Sequence, residues 1–433
     1  MPFPQRLFAV TALLLLMPLA VLAAEASRIS QRQEALTLAE LNRLARERVK
    51  ATPRIALAPT TAEGLRGIES LESGGQVPNY LRVFSTLPNA AQPLAHLFKT
   101  VLYSGAVEPE TKMAMGLRVA QIYRSPYPAA HLRRFLRGSE KGRALVRSIH
   151  NGAADSLKPS QRLALRYAEN LTRDVHGVSD EDFREVRGAF NDAQIVELTL
   201  TVCFFNHFTR FAEALNLPVE PWTLDSEFTP PAASYTAPAA RVGLISNEQM
   251  EWAAATLEAR RNPAAQSGGL GVGIANSQRA MFLSPEIAQA WRSFGFGRGD
   301  GAVSREIKLH ISFAVSMANG CRYCTLHQVQ GLRRLNVSPT KLMQMRKDDS
   351  ALTPHELTAV EFARKLTRDP ASVSDADYAK LRDEFGEQGA LEMVLQTCAF
   401  AFMNRFTDGL HLPSEDAAIQ TYREVYGGDW TAE

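Results

Sequence analysis

Four cysteines in 433 residues are too few for a scaffold stapled by disulfides. Charge of neither sign prevails: the formal net charge is +2, which gives no reason to expect a nucleic acid or an anionic membrane surface as partner. Beyond residues 7–22, no apolar run approaches the length of a membrane span. Strand-like alternation bounded by hairpin turns is missing too. What remains is a chain of 45% hydrophobic and 22% charged residues, globular in composition and long enough for two ordinary domains.

The N-terminus reads as an export signal. Arg6 is the lone positive charge before the apolar residues 7–22, and small residues follow at Ala23, Ala24 and Ala26. Pro18 and the shortness of the run favour a cleaved signal, residues 1–26, over a retained anchor. The mature protein is expected to be periplasmic or secreted, where thiols meet an oxidising environment.

The stretch richest in chemistry is Cys321-Arg322-Tyr323-Cys324-Thr325-Leu326-His327. It follows an apolar run, residues 307–318, in which Leu309, Phe313 and Met317 fall four apart, as on one face of a helix. Asn319-Gly320 can adopt left-handed backbone angles and end that helix, so a new one can start at Cys321. Both thiols then lie in a first turn, where unpaired N–H groups and the positive dipole end favour a thiolate. Cysteines so placed fall from about 8.5 into the range of roughly 3.5 to 7.5. His327, three residues after Cys324, supplies a base on the same face. Two thiols, a helix end and an imidazole suit thiol–disulfide chemistry. A c-type haem is excluded, because Thr325 and not His follows the second cysteine. A zinc site is disfavoured here, because no second CxxC or paired His supplies the missing ligands. A permanently closed structural disulfide stays open as the alternative.

The chain also rhymes with itself. Asn79, Arg82 and Pro88 match Asn276, Arg279 and Pro285. Glu110 and His131 match Glu306 and His327. Thr172-Arg173-Asp174, Phe190, Glu197, Cys203, Arg210-Phe211 and Leu217-Pro218 match Thr367-Arg368-Asp369, Phe385, Glu392, Cys398, Arg405-Phe406 and Leu412-Pro413. The reading is a tandem duplication: residues 27–227, a Pro/Ala linker at 228–242, and residues 243–433. Each copy reads as helical. Thr353 with Glu356, Ser374 with Asp377 and Ser179 with Asp182 are capping pairs, and the apolar helices at 195–211 and 391–406 belong at bundle centres. Copy one has Ser125 and Pro128 where copy two has its thiols. Ser125-Pro126 reads as a helix cap and first helical residue. Copy one therefore lacks dithiol chemistry and is expected to serve as a structural partner.

Several single residues carry expectations of their own. Cys203 and Cys398 read as buried small hydrophobes, with a disulfide between them a remote alternative. Glu197 and Glu392, in apolar helices, need a partner: the active histidine or a nearby arginine. Arg210 and Arg405 recur in both copies, as do Tyr127 and Tyr323, and so read as structural.

These residues resemble the AhpD-like superfamily, which includes alkylhydroperoxidase AhpD and carboxymuconolactone decarboxylase. The resemblance covers the helix before Asn319-Gly320, the Cys-Arg-Tyr-Cys-x-x-His stretch and the apolar helix ending near Arg405-Phe406. It implies an all-α fold, here two tandem helical bundles packed as a pseudo-dimer. It also implies that Cys324 attacks a peroxide, that Cys321 resolves it to a disulfide, and that His327 and a glutamate relay the proton. The peroxidase pattern puts that glutamate twelve residues before the first cysteine, where this chain has Leu309. Glu306, one turn back, could stand in, as could His310. The pattern also puts histidine where this chain has Gln328, with His327 one residue earlier.

The expected function is thus an exported thiol-dependent peroxidase that reduces a small hydroperoxide at the Cys321–Cys324 dithiol. Its catalytic set is Cys324, Cys321, His327 and Glu306, with no cofactor and no metal. An unidentified thiol reductant closes the cycle, and homo-oligomerisation stays open. The alternatives are disulfide exchange with a protein partner, or a decarboxylase-like lyase or isomerase acting on a small carboxylated substrate through His327 and Glu306.

Overall fold

The structure is a computed structural model that describes residues 34–65, 68, 76–87, 90–150, 157–224, 275–294 and 301–430. The expected export signal, the linker at 228–242 and Pro88 lie outside the described residues. Among the described residues every regular element is helical, as the sequence patterning requires, and no helix is long and apolar enough to cross a membrane.

Among the described residues the first nine helices are α1 (Leu38–Arg48), α2 (Asn79–Phe84), α3 (Ala91–Tyr103), α4 (Pro109–Ile122), α5 (Pro126–Arg137), α6 (Glu140–His150), α7 (Pro159–Arg173), α8 (Asp180–Ala189) and α9 (Asp192–Ala214). Eight follow in the C-terminal half: α10 (Asn276–Met281), α11 (Pro285–Phe294), α12 (Arg305–Ala318), α13 (Arg322–Arg334), α14 (Pro339–Lys347), α15 (Pro354–Arg368), α16 (Asp375–Gly409) and α17 (Asp416–Tyr426). The capping pairs work as read: Ser179, Thr353 and Ser374 each accept the N–H three residues on, and the acid there reaches back. α16 is broken at Gly386, whose φ of 72° only glycine adopts without strain, so the capped segment and the apolar segment meet at a kink.

α9 and α16 pack against each other at the centre, and the other helices surround them: α4 and α7 lie on α9, while α12 and α15 lie on α16. α9 and the segment of α16 from Gly389 on are buried on nearly every side, as their apolar sequences demand. Farther out, α11 of the second half packs on α3 of the first, and Trp291 stacks on Phe402 at 3.8 Å.

The recurring arginines meet at this centre. Arg210 Nη2 donates to Tyr123 Oη at 2.8 Å and to the Thr367 carbonyl at 3.0 Å. Arg405 Nη2 donates to the same phenol at 2.9 Å and to the Thr172 carbonyl at 3.1 Å. Each arginine thus ties its own helix to a carbonyl of the opposite half. Cys203 and Cys398 are fully buried and free, and burial pushes both thiols far up. Glu197 and Glu392 pair with neither a histidine nor an arginine. Glu197 accepts from the Ala106 and Val107 amides and from Lys112 at 2.7 Å. Glu392 accepts from the Ala302 and Val303 amides and lies 3.0 Å from Lys308. These carboxylates fix the loops that enter α4 and α12. A Cβ at Gly105 or Gly301 would meet the carboxylate beside it, so a larger residue at either would have to displace that side chain from its amide partners.

Candidate active site

The thiols stand where a helix restarts. Ser304 caps α12, and Gly320 at φ 70° turns the chain after it, so that the Cys321 amide returns to the Ser316 carbonyl at 2.9 Å. Cys321 is the N-cap of α13, and its Sγ accepts the Cys324 N–H at 3.3 Å. A thiol does here what a serine hydroxyl usually does. One hydroxyl, Thr407 Oγ1 on α16, lies 3.4 Å from Cys321 Sγ and 3.5 Å from Cys324 Sγ. Both cysteines are free, with Cys321 0% and Cys324 3% exposed, so Cys324 is the residue more open to solvent.

The expectation of an easily ionised pair is corrected at Cys321. Burial pushes that thiol well up, and the neighbouring Cys324 and Asp408 reinforce the shift; only Thr407 opposes it. The helix end is outweighed by desolvation. Asp408, one residue after Thr407, is itself raised to about 7, mainly by burial, against the pull of His176 and of a hydrogen bond with Cys321. His176 comes from the first half of the chain, and its Nε2 lies 3.1 Å from the Gly320 carbonyl. The thiol pocket is therefore built by both halves. A carboxyl that titrates near neutrality beside a buried thiol can take up or release that thiol's proton.

His327 is committed to oxygen partners rather than to sulfur. Its ring stacks on Tyr323 at 4.3 Å, Nδ1 lies 2.6 Å from the Tyr323 carbonyl, and Nε2 lies 2.6 Å from Glu415 Oε2. Glu415 Oε1 accepts from the Asn276 amide and from Tyr323 Oη at 3.0 Å. Burial opposes ionisation of Glu415, yet the His327 contact and the Asn276 N–H bring its carboxyl down to about 2. The first half carries the same assembly without thiols: Glu220 accepts from the Asn79 amide and from Tyr127 Oη at 2.8 Å, and His131 Nε2 lies 3.0 Å away. Ser125, at the place of Cys321, does not cap its helix through its side chain. Its Oγ instead donates to Glu213 at 2.6 Å, at the place of Asp408.

Glu306 does not join the thiols. It sits in the first turn of α12, and the thiols follow the last turn, about 20 Å away along a helix of that length. It lies instead beside His310, Lys341 and Glu356. Sequence reasoning missed Thr407, Asp408, Glu415 and His176, which approach from other helices. One signal was present: the acids Glu220 and Glu415 each stand two residues after the repeated Leu-Pro pairs, and Glu213 and Asp408 each stand three residues after the repeated arginines.

No curated protein matches the chain. A solved structure of a variant of the debrominase Bmp8 in complex with 2,3,4-tribromopyrrole is similar, with 23% sequence identity, covering 35% of this chain and 83% of that one, at a TM-score of 0.32. Residues 285–365, the segment that carries Glu306, His310, both α13 thiols and His327, match the model of the carboxymuconolactone decarboxylase family.

Proposed function

We propose that the protein is an exported dithiol oxidoreductase that reduces a small hydroperoxide. Cys324, the better exposed of the two residues, attacks the peroxide as a thiolate: the terminal oxygen bonds to sulfur, the O–O bond breaks, the alkoxide takes up the proton that the Cys324 thiol gave up and leaves as an alcohol, and Cys324 becomes a sulfenic acid. Cys321 then attacks that sulfur, water leaves, and a disulfide remains. The Cys321 proton passes to Asp408 and from it to the departing hydroxide, which leaves as water, while the Cys324 N–H steadies the developing Cys321 thiolate. A dithiol reductant returns both sulfurs to thiols. His327 and Glu415 brace the first turn of α13 in this scheme.

The observation that carries the reading is that two free sulfurs share the Thr407 hydroxyl at a helix start, beside a carboxyl that titrates near neutrality. The test is hydroperoxide consumption by the purified chain with dithiothreitol. Turnover should vanish in Cys324→Ser and fall strongly in Cys321→Ser. Undiminished turnover in Cys324→Ser would sink the assignment. No observation favours the lyase alternative in the form that pairs His327 with Glu306, because these side chains belong to separate clusters.

A further inference from the structure

The chemistry proposed above does not use Glu306, His310, Lys341 and Glu356. Glu306 and His310 lie one turn apart on α12, and Glu356 comes from the first turn of α15, which packs on α12. Glu356 Oε2 is held by the capping box, accepting from Thr353 N at 2.8 Å and Thr353 Oγ1 at 3.1 Å, so Oε1 is left to face the cluster. His310 is 0% exposed, and neither ring nitrogen has a hydrogen-bond partner among the described residues. Nδ1 lies 3.4 Å from Glu356 Oε1, and Nε2 lies 3.6 Å from Glu306 Oε1. Donor atoms of the three residues all fall within 4.8 Å of one another.

A buried imidazole left without hydrogen bonds is a cost that a fold normally avoids. The fold does not require one here. The positions 196 residues before Glu306 and His310 are Glu110 and Ala114, and Gln161, 195 before Glu356, closes its own helix start by accepting from the Lys158 amide at 3.2 Å. Neither the histidine nor the charge of Glu356 is needed to build this corner. Lys341 Nζ sits 3.2 Å from Glu306 Oε1 and 2.7 Å from Glu356 Oε1, the two oxygens that a metal ion would draw together. Its side chain is 23% exposed and that of Glu306 38%, so the lysine can swing out on its flexible stem and an ion can enter. Two carboxylates and one ammonium leave a charge of −1, whereas two carboxylates and a divalent ion are neutral.

We infer that Glu306, His310 and Glu356 form a binding site for a first-row divalent cation, best suited to zinc, with Lys341 as the cation that offsets half of the carboxylates' charge when the metal is absent. One imidazole and two carboxylates match the donors of zinc sites with an open fourth position, while magnesium and calcium prefer all-oxygen shells.

The experiment uses the full chain with Cys321→Ser and Cys324→Ser, which removes the competing thiol ligands. Zinc is titrated against a chromophoric chelator, and cobalt(II) substitution is followed in the visible spectrum. The expected result is one zinc per chain, with cobalt absorption typical of low coordination number. His310→Ala and Glu356→Gln should each lose that equivalent. Glu356→Gln should keep its helix start, as Gln161 does, so a preserved circular dichroism spectrum separates ligand loss from misfolding. Lys341→Met should tighten zinc binding about tenfold or more, since it removes a competing charge at contact distance. Absence of stoichiometric zinc in the thiol-free chain, or zinc retained unchanged by His310→Ala, overturns the inference.

Discussion

Arg405 Nη2 and Tyr123 Oη, 282 residues apart in the chain, are joined by a hydrogen bond of 2.9 Å, and Arg210 donates to the same oxygen. Two buried guanidinium groups thus share one phenol, which their charges make more acidic despite the burial that opposes it. Tyr123→Phe should leave both without that acceptor, at about 2–3 kcal/mol or more. Equilibrium denaturation should show a lower midpoint with secondary structure intact. A midpoint equal to wild type would mean that the two carbonyl contacts suffice.

Lys112 and Glu197 form a fully buried ion pair, whereas Lys308 and Glu392 are partly open. Lys112→Met alone should cost about 3–5 kcal/mol, because it strands a buried carboxylate. Lys308→Met should cost clearly less. Joint replacement of Lys112 and Glu197 by apolar residues should recover part of the loss, which a double-mutant cycle would read directly.

Asp408 makes stability pH-dependent in a defined direction. Its carboxyl is raised to about 7 in the folded chain, so the folded state holds the proton more tightly than the unfolded chain does. Stability from this group is therefore present at acid pH and falls as pH rises from about 4 through 7, by a few kcal/mol at most. Asp408→Asn should remove that fall. In single-turnover oxidation of the dithiol, the same variant should abolish an inflection near neutrality.

Glu415 acts with the opposite sign. Its carboxyl is held down to about 2, so the stability it contributes is present above the ordinary glutamate range and is lost as pH falls toward 2. Glu415→Gln should be less stable than wild type at pH 7, and the gap should narrow as the solution is acidified. Acid titrations of the two proteins, monitored by circular dichroism, check this.

Thr407→Val tests the hydroxyl shared by the sulfurs. The fold should hold, since a β-branched residue of similar size replaces another, but the Cys321 thiol loses a hydrogen bond that favours its ionisation. Disulfide formation after a peroxide pulse should slow severalfold, with Cys324 sulfenic acid accumulating.

Local features were legible in the chain. Asn319-Gly320 ends α12 and Cys321 opens α13, because left-handed φ and helix capping are decided by neighbouring residues. The apolar runs became the central helices for the same reason. What surrounds the sulfurs was not legible. Asp408 and Thr407 come to them from the end of α16, Glu415 at the start of α17 holds His327 and Tyr323, and His176 from the other half meets the Gly320 carbonyl, and no local pattern links those positions. The ionisation of Cys321 was misjudged because sequence displays a helix start but not the desolvation that opposes it. Ser125 and Pro126 open their helix as read, but Glu213 across the bundle claims the hydroxyl that would have capped it.

The assembly of Glu220, Tyr127 and His131 has every polar member of its counterpart at Glu415, Tyr323 and His327, and no sulfur beside it. Hardware found equally in a sulfur-free setting is a mounting bracket. Alterations to it should be felt first as a shift in where the α13 backbone sits, and only through that shift as any change in what the sulfurs do.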